Sequence, residues 1–216
     1  MTIKERPGRP GDVVIRGVRI FDGARVLEAD SIGVRGGVIE AVGVDLATTR
    51  GVPVVHGAGA MLVPGLIDSH VHALHPENLA QALAFGVTTE LDMFCPPPHL
   101  QQLRQAAAAR HDVADFRSAG IGATAPGGHP TQLVTWGVYP PFPTVAGPDE
   151  VEGFVAARVG ERIDYFKVFV EDGAFWGRSR QTLSEASVRA LVAAAHARGL
   201  RVLVHADTGT ADRSHD

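Results

Sequence analysis

Leu62-Val63-Pro64-Gly65-Leu66-Ile67-Asp68-Ser69-His70-Val71-His72 is the stretch on which the fold turns. An apolar run punctuated by Pro-Gly and closed by two histidines reads as a strand from about Met61 to His70 with polar residues at its C-terminal end. Period two puts His70 and His72 on the same face of that strand. Two imidazoles so placed supply half of a divalent-metal site, and by themselves they read equally well as two polar residues at a strand end. The pattern differs on the two sides of this stretch. Upstream, residues 11–62 read as short alternating strands: Val13, Ile15, Val18 and Ile20, a turn at Asp22-Gly23, then Ile32 and Val34, the pair Gly36-Gly37, and Val38 and Val42. Downstream, short apolar strands alternate with helical periodicity, the sequence form of βα repeats and a parallel sheet.

Those repeats can be followed to the end of the chain. A short helix starts at Pro76 and stops at Gly86, and a second strand covers Val87–Phe94. Its helix begins at Pro96-Pro97-Pro98, with Leu100, Leu103 and Ala107 as the apolar stripe. A third strand is expected over Ser118–Ala123. Residues 126–147 then form a Pro- and Gly-rich segment with Trp136, Tyr139 and Phe142, long for a βα connection and read as a substrate-covering loop. A third helix runs from Pro148 to Gly160 and a fourth strand over Asp164–Val170. A fourth helix opens on the capping box Thr182-x-x-Glu185 and ends at Gly199, and the fifth strand is Arg201–Ala206. Five strands and about four helices form an incomplete (β/α)8 TIM-type barrel, since closure takes eight of each and about 250 residues. Gly209–Asp216, without a large apolar side chain, does not read as the next amphipathic helix.

With its context, the histidine stretch resembles the first-strand signature of the amidohydrolase superfamily, metal-dependent hydrolases with a (β/α)8 barrel flanked by a small β-sandwich. The resemblance covers residues 11–208 and implies two domains, a partial β-sandwich at 1–62 and a truncated barrel at 63–216. In that superfamily a lysine ending the fourth strand is carboxylated and bridges two metal ions. Asp164-Tyr165-Phe166-Lys167-Val168-Phe169-Val170-Glu171-Asp172-Gly173 is similar to that motif, with Lys167 as the lysine. The chemistry agrees, because an ammonium between Phe166 and Val168 in a buried strand is costly. A neutral amine there is a nucleophile toward carbon dioxide, and the carbamate it forms is an anionic ligand. His205 in Val202-Leu203-Val204-His205-Ala206 matches the fifth-strand histidine that binds the second metal. The resemblance thus implies His70, His72, Lys167 and His205 as ligands of two divalent ions. Zinc is the default for imidazole ligands, and manganese, cobalt and iron are open. Gly127-Gly128-His129-Pro130 is similar to the loop that presents a histidine to the substrate carbonyl in the imidazolonepropionase-like and dipeptidase-like branch, and it is also plain turn chemistry. Tyr139, Trp136 and Trp176 sit in loops where they line a substrate pocket or pack a lid. Asp92 either orients a ligand histidine or is a solvent-facing or helix-capping aspartate.

The implied function is metal-activated hydrolysis of a carbon–nitrogen bond in a cyclic amide, N-acyl or dipeptide-like small molecule. The alternative is a truncated, catalytically incompetent product or assembly partner. The family's sixth-strand histidine and eighth-strand aspartate, its general base, have no counterpart to assign here, and an open five-strand sheet predicts a homo-oligomer or a complementing chain. Composition narrows the rest. The 216 residues are 45% apolar with a net charge of −4 and no run of like charge, which argues against nucleic-acid and anionic-membrane partners. No apolar leader or span is evident, so the cytoplasm is the default expectation. One cysteine, Cys95, excludes an internal disulfide and a cysteine-built zinc site.

Overall fold

The computed structural model describes residues 11–48, 51–174, 177 and 179–206 of the chain. They form a mixed α/β structure that divides between Gly65 and Leu66 into two compact units.

In the first unit, β1 (Val13–Arg16), β3 (Ser31–Arg35), β4 (Val38–Gly43) and β5 (Val54–His56) make a sheet ordered β4-β3-β1-β5. The β1–β3 and β3–β4 pairs are antiparallel and β1–β5 is parallel. The β3–β4 hairpin closes through Gly36 and Gly37 at φ +55° and +79°, a left-handed pair that the two-residue turn requires and that glycine adopts without strain. A second pair, β2 (Arg19–Ile20) with β6 (Met61–Leu62), is parallel. Alternation buries Val14 with Ala41 and Leu46, and Val18 and Ile20 with Ile32, as two small cores.

The second unit is built from parallel strands. The strands β7 (Leu66–Val71), β8 (Val87–Asp92) and β9 (Asp115–Ser118) form one sheet in chain order, and β10 (Phe166–Val170) pairs with β11 (Val202–Ala206). A single parallel bridge, Ala123 to Val168, links the segment after β9 to β10, through Ala123 N–H donating to the Lys167 carbonyl and Phe169 N–H to the Ala123 carbonyl. Helices fill the crossovers: α1 (Pro76–Ala84), α2 (Pro97–Ala109), a short α3 (Gln132–Thr135), a 3-10 turn at Pro148–Glu150 leading into α4 (Val151–Gly160), and α5 (Glu185–His196). Phe94, Ile121, Phe154, Phe166, Val168 and Leu191 belong to the larger core, and Leu79, Leu100, Leu103 and Phe116 to a second beneath α1 and α2.

Two local expectations are corrected. The third strand is paired over Asp115–Ser118 rather than Ser118–Ala123. Gly120, at φ +61°, turns the chain out of the ladder, and Gly122 passes so close to β10 that a Cβ there would lie 2.5 Å from Phe169 and 3.0 Å from Lys167. Thr182 does not cap α5. Ser184 does, its hydroxyl accepting from Ser187 N–H, while Leu183 is buried and packs with Val188 in the same core, a hydrophobic staple that sets the entry of the helix. The long loop over 126–147 contains α3.

Candidate metal and substrate site

The C-terminal ends of the parallel strands carry the candidate side chains. His70 lies in β7 and His72 just past its end, with ring centroids 5.4 Å apart. Lys167 points from β10 on the same side as Phe169, its Nζ 5.6 Å from that ring. His205 in β11 stands opposite Phe169 in register, with ring centroids 5.4 Å apart. The loop after β9 delivers His129, which stacks on His205 at 4.9 Å and 22°. Together with Phe94, Tyr139, Leu133 and Pro130, these five residues line one cavity of about 180 Å³. Of the residues singled out in the sequence, His70, His72, His129, Tyr139, Lys167 and His205 are therefore brought together; Trp176 lies outside the described residues. Trp136 is 63% exposed and turned away to solvent.

Electrostatics at this cavity favour neutral nitrogen donors. Burial holds the His70 imidazole below the ordinary histidine value, with the Lys167 and His205 charges adding to it. The same holds for His72, by burial first and then by His70, with the Phe94 backbone acting in the opposite direction. Lys167 is 3% exposed, and burial pushes its ammonium down from the usual lysine range. Burial also lowers His129, opposed by Glu171. Burial raises the Tyr139 phenol to about 12, so it stays a neutral donor at the rim of the cavity.

Three residues were not anticipated as site residues. Glu171, buried at the end of β10, lies 3.1 Å from His205 Nε2 and 3.6 Å from His129 Nδ1. The sequence holds a signal for it, since 167, 169 and 171 share a face by period two. His129, Glu171 and His205 each bring one donor atom within 4.8 Å of the others, the one such His/Cys/Asp/Glu group among the described residues. Gln132 on α3 places Nε2 2.9 Å from His129 Nδ1, and Arg180 reaches Gln132 Oε1 at 3.3 Å. Asp92, by contrast, touches no histidine ring. It is fully buried, accepts from Ser118 Oγ at 2.7 Å and from Ala73 N–H at 3.2 Å, and so ties the residue after His72 to β8 and β9.

Comparison with known proteins follows the same line. No family model matches the chain. It is 33% identical over 115 residues to urease subunit alpha 1 of Streptomyces avermitilis, covering 49% of this chain and 21% of that protein. It is 37% identical over 100 residues to N-acyl-D-aspartate deacylase of Alcaligenes xylosoxydans xylosoxydans, covering 44% and 20%. Among solved structures, a Xaa-Pro dipeptidase with bound methionine in its active site superposes with a TM-score of 0.71 at 23% identity over 90% of this chain and 56% of that one. Over these stretches the chain is similar to a urease subunit and a deacylase, and its likeness to the dipeptidase structure is one of fold. It spans about a fifth of the length of the two curated relatives. No described helix is long and apolar enough to cross a membrane.

Proposed function

We propose that residues 63–206 supply the first five strands of a (β/α)8 barrel, preceded over 11–62 by part of a β-sandwich, and that the cavity at the strand ends is the centre of a metal-dependent hydrolase acting on carbon–nitrogen bonds. One observation carries this reading: His70, His72, Lys167 and His205, from three different strand ends, converge on a single cavity. The donor set fits divalent cations. Burial favours the neutral, coordinating form of His70 and His72 and weakens the hold of Lys167 on its proton. When bound, two zinc ions, or manganese, cobalt or iron in their place, would supply Lewis-acid activation of water and of a carbonyl.

The protein's own residues have distinct tasks. Neutral Lys167 Nζ would add to carbon dioxide, forming an N–C bond as one C=O π bond opens and releasing one proton, and the anionic carbamate would join His70, His72 and His205 in holding the ions. Glu171 accepts from His205 Nε2 and orients that ring. His129 and Tyr139, facing the same space, hydrogen-bond the substrate carbonyl. The cavity suits a compact cyclic amide, N-acyl or dipeptide-like substrate with an apolar part against Phe94, Leu133 and Phe169. The partner this reading calls for is a complementing segment or second copy at the open sheet edges.

Native mass spectrometry of the chain loaded with zinc and bicarbonate tests the site directly. The expected spectrum shows two metals and one added carbon dioxide per chain. A chain that takes up neither under these conditions would sink the reading.

A further inference from the structure

The contacts around His129 determine which of its nitrogens carries the proton. Arg180 has only donors, so the atom of Gln132 that it meets at 3.3 Å must be the amide oxygen; with the amide reversed, two donors would face each other. That orientation leaves Gln132 Nε2 as the group 2.9 Å from His129 Nδ1. An amide N–H donates, so Nδ1 must offer a lone pair, and the ring's proton sits on Nε2. A doubly protonated ring is excluded by the same contact, because it would set N–H against N–H. The alternative claim on Nδ1 fails on distance: Glu171 Oε2 is 3.6 Å away, outside hydrogen-bond range, and is engaged instead by His205 Nε2 at 3.1 Å. Two stacked imidazoles, 4.9 Å apart, are thereby given opposite assignments. His205 donates from Nε2 to a carboxylate and keeps the Nδ1 lone pair for a ligand bond, whereas His129 accepts at Nδ1 and keeps an N–H.

We propose that Arg180 and Gln132 are positioning residues that hold His129 as a neutral Nε2–H donor, so that this side chain hydrogen-bonds the carbonyl oxygen of the substrate and does not serve as a metal ligand through Nδ1. The inference rests on the hydrolase reading for the identity of the acceptor, but the proton's location stands on the three side chains alone. Residues 48 apart make the Arg180–Gln132 contact, so it also fastens the loop carrying His129 to the segment leading into α5.

The tautomer is directly observable. Long-range proton–nitrogen correlation spectra of the uniformly 15N-labelled, zinc-free chain, with His129 assigned from the spectrum of His129→Asn, are expected to show a protonated Nε2 and a bare Nδ1 at neutral pH. In Gln132→Glu the new carboxylate can only accept, and the proton is expected to move to Nδ1 or the ring to become cationic. In Gln132→Met, which offers neither group, the two tautomers should mix. A wild-type ring protonated at Nδ1 overturns the proposal, as does a Gln132→Glu spectrum identical to wild type at His129. The wild-type spectrum decides the matter even where a variant fails to fold. Failure of the hydrolase reading is distinguishable: a chain with the Nε2–H tautomer that takes up no metal or carbon dioxide keeps this relay and loses that reading, and the converse result does the reverse.

Discussion

Lys167 is the residue on which the proposed chemistry depends most. Its stem is buried against Gly122 and its amine lies 5.6 Å from the Phe169 ring, where an ammonium is poorly solvated. Lys167→Ala is expected to lose the carbon dioxide adduct and the bound metal, with hydrolysis partly restored by short carboxylic acids that reoccupy the position of the carbamate. Full metal content in that variant, measured by native mass spectrometry, would remove the carbamate from the account. His129→Ala should behave differently, retaining metal while turnover falls on the order of a hundredfold, the usual effect of deleting one donor to a developing oxyanion. Metal loss there would make His129 a ligand. Asp92 is a third case, because burial raises its carboxyl from 3.8 to about 7. Below about pH 4 it is protonated in folded and unfolded chains alike. Between there and about 7 the unfolded carboxyl ionises while the folded one holds its proton, so the stability tied to it declines as pH rises through that window. Asp92→Asn keeps an acceptor for Ala73 N–H and should flatten the pH dependence of denaturant midpoints between pH 4 and 7, gaining on wild type at pH 8. An unchanged slope would mean that Asp92 is ionised in the folded chain.

At the scale of the element, helix α5 separates what a linear reading can and cannot see. Thr182 and Glu185 satisfy the capping-box spacing, yet Ser184 is the residue whose hydroxyl accepts from the helix. Ser184→Ala should lower stability by about 1 kcal/mol and Thr182→Ala by little, as thermal unfolding of the two variants would show. Equal losses would return the cap to Thr182. The error arises because two adjacent frames both look capped, and only the burial of Leu183 selects between them. Elsewhere most elements were legible to within a few residues, although the strand expected over Met61–His70 is two, Met61–Leu62 pairing with β2 and Leu66–Val71 with β8. Pro76, Gly86, Pro97 and Gly160 sit near the ends of α1, α2 and α4, and the apolar runs of β10 and β11 have no competing period. The third strand was not legible, because Gly122 responds to a contact with β10, and Gly120 to one with Ile163, more than forty residues ahead in each case. The site divides in the same way. His70, His72, Lys167 and His205 were read from local patterns at strand ends. Gln132 and Arg180 have no such pattern, since their significance comes from a side-chain contact across 48 residues.

For the whole molecule, the outer strands decide how the chain behaves in solution. Among the described residues β7 pairs only with β8, and β11 only with β10, so each presents one unpaired row of backbone donors and acceptors. Both strands also expose apolar side chains: Leu66 at 57%, Ile67 at 63% and Val204 at 51%. An open edge with apolar residues is a template for strand addition, and a charge on such an edge opposes it. The isolated chain should therefore associate with concentration, visible as a rising weight-average sedimentation coefficient. Ile67→Lys together with Val204→Lys should shift it toward the monomer while changing the melting temperature little, because both side chains already face water. A segment that completes the sheets would do the opposite, competing with self-association and adding stability as it binds. Its addition should sharpen metal uptake at His70 and His205, the ligands that sit on the two edge strands. If the chain sediments as a monomer at every concentration and the lysine pair changes nothing, the edges are not sticky, and no complementing partner is needed to account for them.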